Sequence, residues 1–294
     1  MRVQSIALLL LLSMLAWARP AHAARSYDNC TGFISSVPTV ISTPGTWCLK
    51  QDVSTTITSG DAIKIAANNV IVDCNDFRLD GIAAGLGTAT VGIYANNRAG
   101  DTVRNCHVRG FYEGLYFQGT GGRHLIEHNH FDQNRFVGLR IEGGNTTVRY
   151  NEILDTGGTT TASDAYATAA SRDNDLIGNT ISGVAATKGG NGHAFAFSMD
   201  MGTAVGGSII GNRVRGLLPD GAGQAFGIIF GGAPQRMAIR DNDIVGHGNG
   251  DGNGINCNPG TTSHLVRLRN NVVSSFNINI GGECGDAGEN DDSP

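Results

Sequence analysis

The sequence lacks the short motifs that mark several large enzyme classes. It has no Gly-Lys-Ser/Thr phosphate loop, no His-Glu-x-x-His and no Gly-x-Ser-x-Gly, so nucleotide hydrolysis, zinc peptidase and nucleophile-elbow mechanisms are without their residues. No Cys-x-x-Cys pair is present either, which removes the usual zinc-type spacing. Past residue 23 no apolar run approaches the about 20 residues of a membrane-spanning helix. Helical composition is also scarce, because Gly, Thr and β-branched residues dominate where a helix would be needed.

What is present begins with a leader. Arg2, an apolar run from Ile6 to Leu15 and the small-residue site Ala21-His22-Ala23 have the order of a secretory signal, with cleavage expected after Ala23. A membrane anchor is the alternative, and the run is short for one. Removing residues 1–23 takes away Arg2 and Arg19 and leaves 19 basic against 26 acidic residues, a formal charge of −7. So acidic a chain is a poor partner for nucleic acid or other polyanions. A secreted or periplasmic location is expected, with no membrane insertion after cleavage.

Export implies an oxidising compartment, and the remaining chain holds an even set of six cysteines. Six cysteines allow 15 connectivities. Pairing of sequence neighbours, Cys30 with Cys48, Cys74 with Cys106 and Cys257 with Cys284, is the expectation, with the first and last pairs stapling the two ends.

A repeat dominates the rest. The unit apolar-x-x-Asn-x-apolar recurs as Val72 to Phe77, Ile126 to Phe131, Val148 to Ile153 and Leu176 to Ile181, then around Asn212, Asn242 and Asn271, while Val103 to Val108 carries Cys106 in the asparagine slot. A second strand precedes most of these, commonly after glycine, as in Gly92-Ile93-Tyr94-Ala95, Gly114-Leu115-Tyr116-Phe117 and Gly138-Leu139-Arg140-Ile141. Both alternate with period two, as strands with one buried face do. Strands this short bury a face only by stacking, coil on coil, about 4.8 Å apart. The expectation is an all-β, single-domain parallel β-helix of roughly nine coils. Its parts would be a signal peptide at 1–23, a disulfide-stapled N-terminal cap at 24–59, the helix at 60–284 and a disordered acidic tail at 285–294. The repeated asparagine is read as structural, tolerating left-handed backbone at a corner and bonding to its copies in neighbouring coils.

These units resemble the right-handed parallel β-helix repeat proteins of the pectate-lyase-like superfamily over about residues 60 to 284. The stretch from Asn69 to Gly81 is similar to the first-coil signature of many exported members. Such a resemblance implies the fold; lyases, hydrolases, epimerases, adhesins and proteins without known role share it, so the activity has to be read from sites.

Stacked coils align equivalent residues into outward columns. One should run Lys64, Tyr94, Tyr116 and Arg140, continuing through Tyr166, Ala196, Ile229, Asn256 and Asn279. Cations that grip a uronate carboxylate beside aromatic rings that stack on sugars suit an acidic polysaccharide. The resemblance implies β-elimination there, with Arg140 or Lys64 as base, Tyr116 or Tyr94 as acid, Tyr166 and Asn256 as further substrate contacts, and a divalent cation such as calcium on the carboxylate. A solvated sheet face, or a non-catalytic surface that binds glycans or another partner, fits the same residues. A second column, Asp76, His107, His130 and Glu152, offers metal ligands or acid–base pairs. A third, Asp73, Arg104, Glu127 and Arg149, reads as an ion-pair ladder, followed later by Arg240 and Arg269 without evident partners. Asp200 with Asp220, in longer loops, is the carboxylate pair a hydrolase would need.

Overall fold

The computed structural model describes residues 27–171, 173–200, 206–231, 236–248, 252–257, 266–282, 284–286 and 288–291. The leader expected at residues 1–23 lies outside them.

Each coil turns through three short strands. Thr102–Arg104, His107–Arg109 and Glu113–Gln118 make one coil, and Leu125–Glu127 then returns to lie beside Thr102–Arg104 in parallel register. Repetition builds three all-parallel sheets of eleven, nine and ten strands. Nine to eleven strands per sheet among the described residues agree with the roughly nine coils expected. Among the described residues the one helical turn is the 3-10 segment Ile82–Ala84.

Period-two alternation sends one residue of each strand inward, and in-register stacking lines those residues up. Ile63, Ile93, Leu115 and Leu139 form such a column in the ten-strand sheet and are fully buried. Val103, Ile126 and Val148 do so in the eleven-strand sheet, and Val108, Phe131 and Ile153 in the nine-strand sheet. Burying each such side chain contributes about 1.5–3 kcal/mol. The glycine that opens the ten-strand units is required by close approach: a Cβ on Gly92 would stand 2.5 Å from Gly114 O and 2.8 Å from Val108 Cγ1.

At the corner between the eleven- and nine-strand sheets the repeated asparagines form a buried amide ladder. From Asn129 through Asn151, Asn179, Asn212, Asn242 and Asn271, each Nδ2 donates to the Oδ1 of the next at 2.9–3.0 Å. Each Oδ1 from Asn151 to Asn271 also accepts the backbone N–H of the preceding member. The ladder begins at the amide of Cys106, which donates to Asn129 Oδ1. The left-handed backbone expected at these asparagines belongs instead to the residue before each, among them Asn105, His128, Tyr150 and Gly178. The asparagines serve through their amides, which pair neighbouring coils. Asn75 is outside the ladder; its own φ is 49° and its Nδ2 donates to Leu49 O.

Three disulfides join Cys30 to Cys48, Cys74 to Cys106 and Cys257 to Cys284. The segment expected only as a cap supplies strands to all three sheets: Gly32–Ile34 and Gly45–Leu49, Thr39–Ile41, and Val53–Ser54. It is stapled by the first disulfide. The described residues of the tail expected to be disordered, 285–286 and 288–291, are also built into the solenoid. Gly285–Asp286 pairs with Val266–Arg269, and Asn290 Oδ1 accepts from the backbone N–H and Nδ2 of Asn271. Backbone and amide groups, rather than apolar side chains, anchor it.

Candidate functional site

The ten-strand face brings Lys64, Tyr94, Tyr116 and Arg140 into one column, each directly opposite the next. The Arg140 guanidinium lies 4.7 Å from the Tyr116 ring centroid, the Lys64 ammonium 5.8 Å from that of Tyr94, and the two tyrosines meet edge to face at 5.7 Å. Two acids absent from the expected site complete it. Glu142 accepts the Tyr116 hydroxyl at 2.6 Å and lies 3.5 Å from Arg140, while buried Glu113 accepts from Arg140 Nη1 at 3.1 Å. Glu142 is legible in hindsight, two residues past Arg140 on the same face of the strand.

Electrostatics sort these groups. Burial works against the charge of Arg140, but Glu113, Tyr116 and Glu142 outweigh it and hold the guanidinium above its ordinary pKa. The guanidinium is thus held in its protonated form by the acids and phenol around it. Burial, then donation to Glu142, pushes the Tyr116 phenol upward; burial and the Asp61 charge do the same to Tyr94. Both phenols keep their protons. Lys64 is exposed and enters no ion pair among the described residues.

Beyond Arg140 the column departs from expectation. Arg140 faces Ala169, which faces Ser198, then Ile229, Asn256 and Gly281. Tyr166 stands opposite Val137, three residues earlier in the seven-residue strand Ala165–Ser171. There it stacks face to face on Phe195 at 4.5 Å and donates its hydroxyl to Asp164. Burial and that carboxylate raise its pKa to about 12. Asn256 keeps the column but lies four coils from Arg140. Neither joins the cluster.

On the nine-strand face His107 faces His130, and His130 faces Glu152. Their rings pack at 4.5 Å, and His130 Nδ1 is 3.0 Å from Glu152 Oε2. Arg78, not Asp76, stands opposite His107. Asn75 and Asp76 both adopt left-handed backbone, which adds residues to that corner and displaces Asp76 from the column. Asp76 still lines the same recess, with His107, His128, His130, Tyr150 and Glu152. Asp132, two residues after His130, was missed; its Oδ2 lies 3.6 Å from His107 Nε2. Burial, then the neighbouring His130, pushes the His107 pKa down.

The remaining candidates have structural duties. Arg104 pairs with Asp73 at 2.7 Å and Arg149 with Glu127 at 2.6 Å, as expected of a ladder. Arg240 and Arg269 do have acids, Asp241 and Glu289. Asp220 accepts the backbone N–H of Asn191 from the loop of the preceding coil; the side chain of Asp200 lies outside what is described.

The family model described as right handed beta helix region matches residues 53–198. No curated protein matches the chain in sequence. Among solved structures, the pectate lyase Pel9A superposes with a TM-score of 0.54 at 16% identity, covering 84% of this chain and 71% of its own. Dettilon tailspike protein gives 0.40 at 14% identity over 85% and 60%. The A-module of an Azotobacter vinelandii mannuronan C-5 epimerase gives 0.36 at 12% over 89% and 88%. At 16% identity the likeness to the pectate lyase is one of fold. With its three stacked parallel sheets and the family match over residues 53–198, the chain has the right-handed parallel β-helix fold, which the pectate lyase shares.

Proposed function

We propose that this is an exported carbohydrate-active protein whose ten-strand face binds an acidic, uronate-containing polysaccharide and cleaves it by β-elimination. The observation that carries the reading is the in-register column Lys64, Tyr94, Tyr116 and Arg140. It offers cations and aromatic rings at the repeat of one coil, which suits a chain of charged sugars lying along the rod. The leader expected at residues 1–23 and the three disulfides support export.

Within this reading Lys64 is the base that removes the proton beside the carboxylate. The electron pair forms the carbon–carbon double bond, the glycosidic carbon–oxygen bond breaks, and the Tyr94 phenol protonates the leaving oxygen. Tyr116 and Arg140 bind the adjoining sugar. The calcium that the resemblance implies does not fit this face. Both Glu113 and Glu142 are engaged by Arg140, and no cluster of three acidic ligands gathers here among the described residues. No step is routed through it.

A second reading, a glycan-binding solenoid without catalysis, is favoured by one fact: Arg140 and Tyr116 are already held by carboxylates. A panel of acidic polysaccharides, followed by ultraviolet absorbance of the unsaturated uronate product, separates the two. Product supports the lyase and binding without product supports the module. Neither binding nor product overturns both.

A further inference from the structure

The nine-strand face carries a second constellation that the polysaccharide reading does not use. His107, His130 and Asp132 each present a ligand atom, and those atoms lie within 4.8 Å of one another. The Nε2 of His107 is buried and makes no hydrogen bond. Its distance to Asp132 Oδ2, 3.6 Å, is too long for one. It is the spacing of two ligands around a shared ion, since tetrahedral zinc with bonds near 2.0–2.2 Å places its donors roughly 3.3–3.6 Å apart. An orphaned buried nitrogen is costly unless something binds it.

Glu152 adds a second, independent feature. Its carboxylate takes the Nδ1 side of His130 at 3.0 Å, which fixes that ring and leaves Nε2 for another partner. Metal-ligating histidines commonly have their far nitrogen held by a carboxylate in this way. Two cations stand near the cluster: Arg109, beside His107, which faces Asp80 at 3.9 Å and donates to Gln133 at 3.2 Å, and Arg135, beside Asp132. The recess beyond the ligands is walled by Asp76, His128, Tyr150 and Glu152. His107 and His130 line it too, while Asp132 lies behind them.

We propose that His107, His130 and Asp132 form a binding site for a divalent transition-metal ion of the zinc class, with Glu152 positioning His130. The donor set decides the ion. Two imidazoles and one carboxylate suit zinc, cobalt, nickel or copper, whereas calcium and magnesium require cages of oxygen. The ligands come from two adjacent coils with Glu152 on a third, so a bound ion also ties the coils together. This site is separate from the ten-strand face and does not depend on what that face binds.

Cobalt(II) chloride added to the chelator-stripped full-length protein should give one equivalent of tight binding with a visible absorption band. It should also broaden the ring resonances of His107 and His130 in the NMR spectrum. Excess zinc should abolish the band. The double replacement His107→Asn and His130→Asn should remove it, and Glu152→Gln should weaken affinity about 10–100-fold while keeping the band. Absence of a band in the wild type, its survival in the double variant, or broadening centred on His193 or His247 overturns the proposal. The wild-type resonances decide even if the double variant fails to fold, and no polysaccharide is involved, so the result is independent of the lyase test.

Discussion

The hydroxyl of Tyr116 donates to Glu142 Oε1 at 2.6 Å, and the same oxygen lies 3.5 Å from Arg140 Nη2. One carboxylate thus fixes both the aromatic ring and the cation that the column offers to a ligand. Replacing Tyr116 by Phe removes the donor while keeping the ring. It should cost about 1 kcal/mol in denaturant unfolding and leave polysaccharide affinity largely intact. Glu142→Gln should weaken affinity more than Tyr116→Phe, because Arg140 loses a restraint. Equal affinities for the two variants would contradict this.

Lys64 and Arg140 are expected to fail differently. Lys64→Ala should abolish unsaturated product with KM little changed, since it removes the base. Arg140→Ala should raise KM with a smaller loss in kcat, since it removes a carboxylate grip. Steady-state kinetics on the best polysaccharide of the panel would measure both; a Lys64→Ala variant with full turnover removes Lys64 from the mechanism.

The amide ladder gives a graded stability prediction. Asn179 lies mid-ladder, and Asn179→Ala takes the acceptor from the buried backbone N–H of Asn151 and one bond each from Asn151 Nδ2 and the carbonyl of Val148. A loss of about 3 kcal/mol is expected. Asn290 stands at the end and is partly exposed, so Asn290→Ala should cost about 1 kcal/mol. Chemical denaturation that ranked the two the other way would show that the ladder is not cooperative.

His124 and Asp101 form a buried pair with opposed pH behaviour. Burial lowers the His124 pKa from 6.5 to about 4, so its contribution to stability is complete above pH 6.5 and is lost as pH falls through 4. Burial raises the Asp101 pKa from 3.8 to about 6, so its contribution is complete below pH 3.8 and is lost as pH rises through 6. The two nearly offset in the native protein. Asp101→Asn removes the second alone, so its Tm should fall more steeply than the wild type's on acidification from pH 6.5 toward 4. Thermal melts across that window check it, and parallel profiles would refute the coupling.

Sequence alone determined the solenoid and the early columns, while of the 15 possible cysteine connectivities the structure forms the expected pairing of neighbours. The reason is physical: period-two alternation fixes which side chains point outward, and a repeat without insertions fixes which stand opposite one another. Lys64, Tyr94, Tyr116 and Arg140 fell where alternation puts them, as did His107, His130 and Glu152. Reading failed where coil length changed. Extra residues displaced Tyr166 by three positions and moved Asp76 out of its column, and neither shift can be counted without knowing how each corner turns. The acids that set the chemistry, Glu113, Glu142 and Asp132, were present in the sequence as ordinary polar residues beside the columns. Only the tertiary structure brought them within 2.6–3.6 Å of Tyr116, Arg140 and His107. Side-chain contacts across coils depend on rotamer and burial as well as register, and a one-dimensional repeat specifies the register alone.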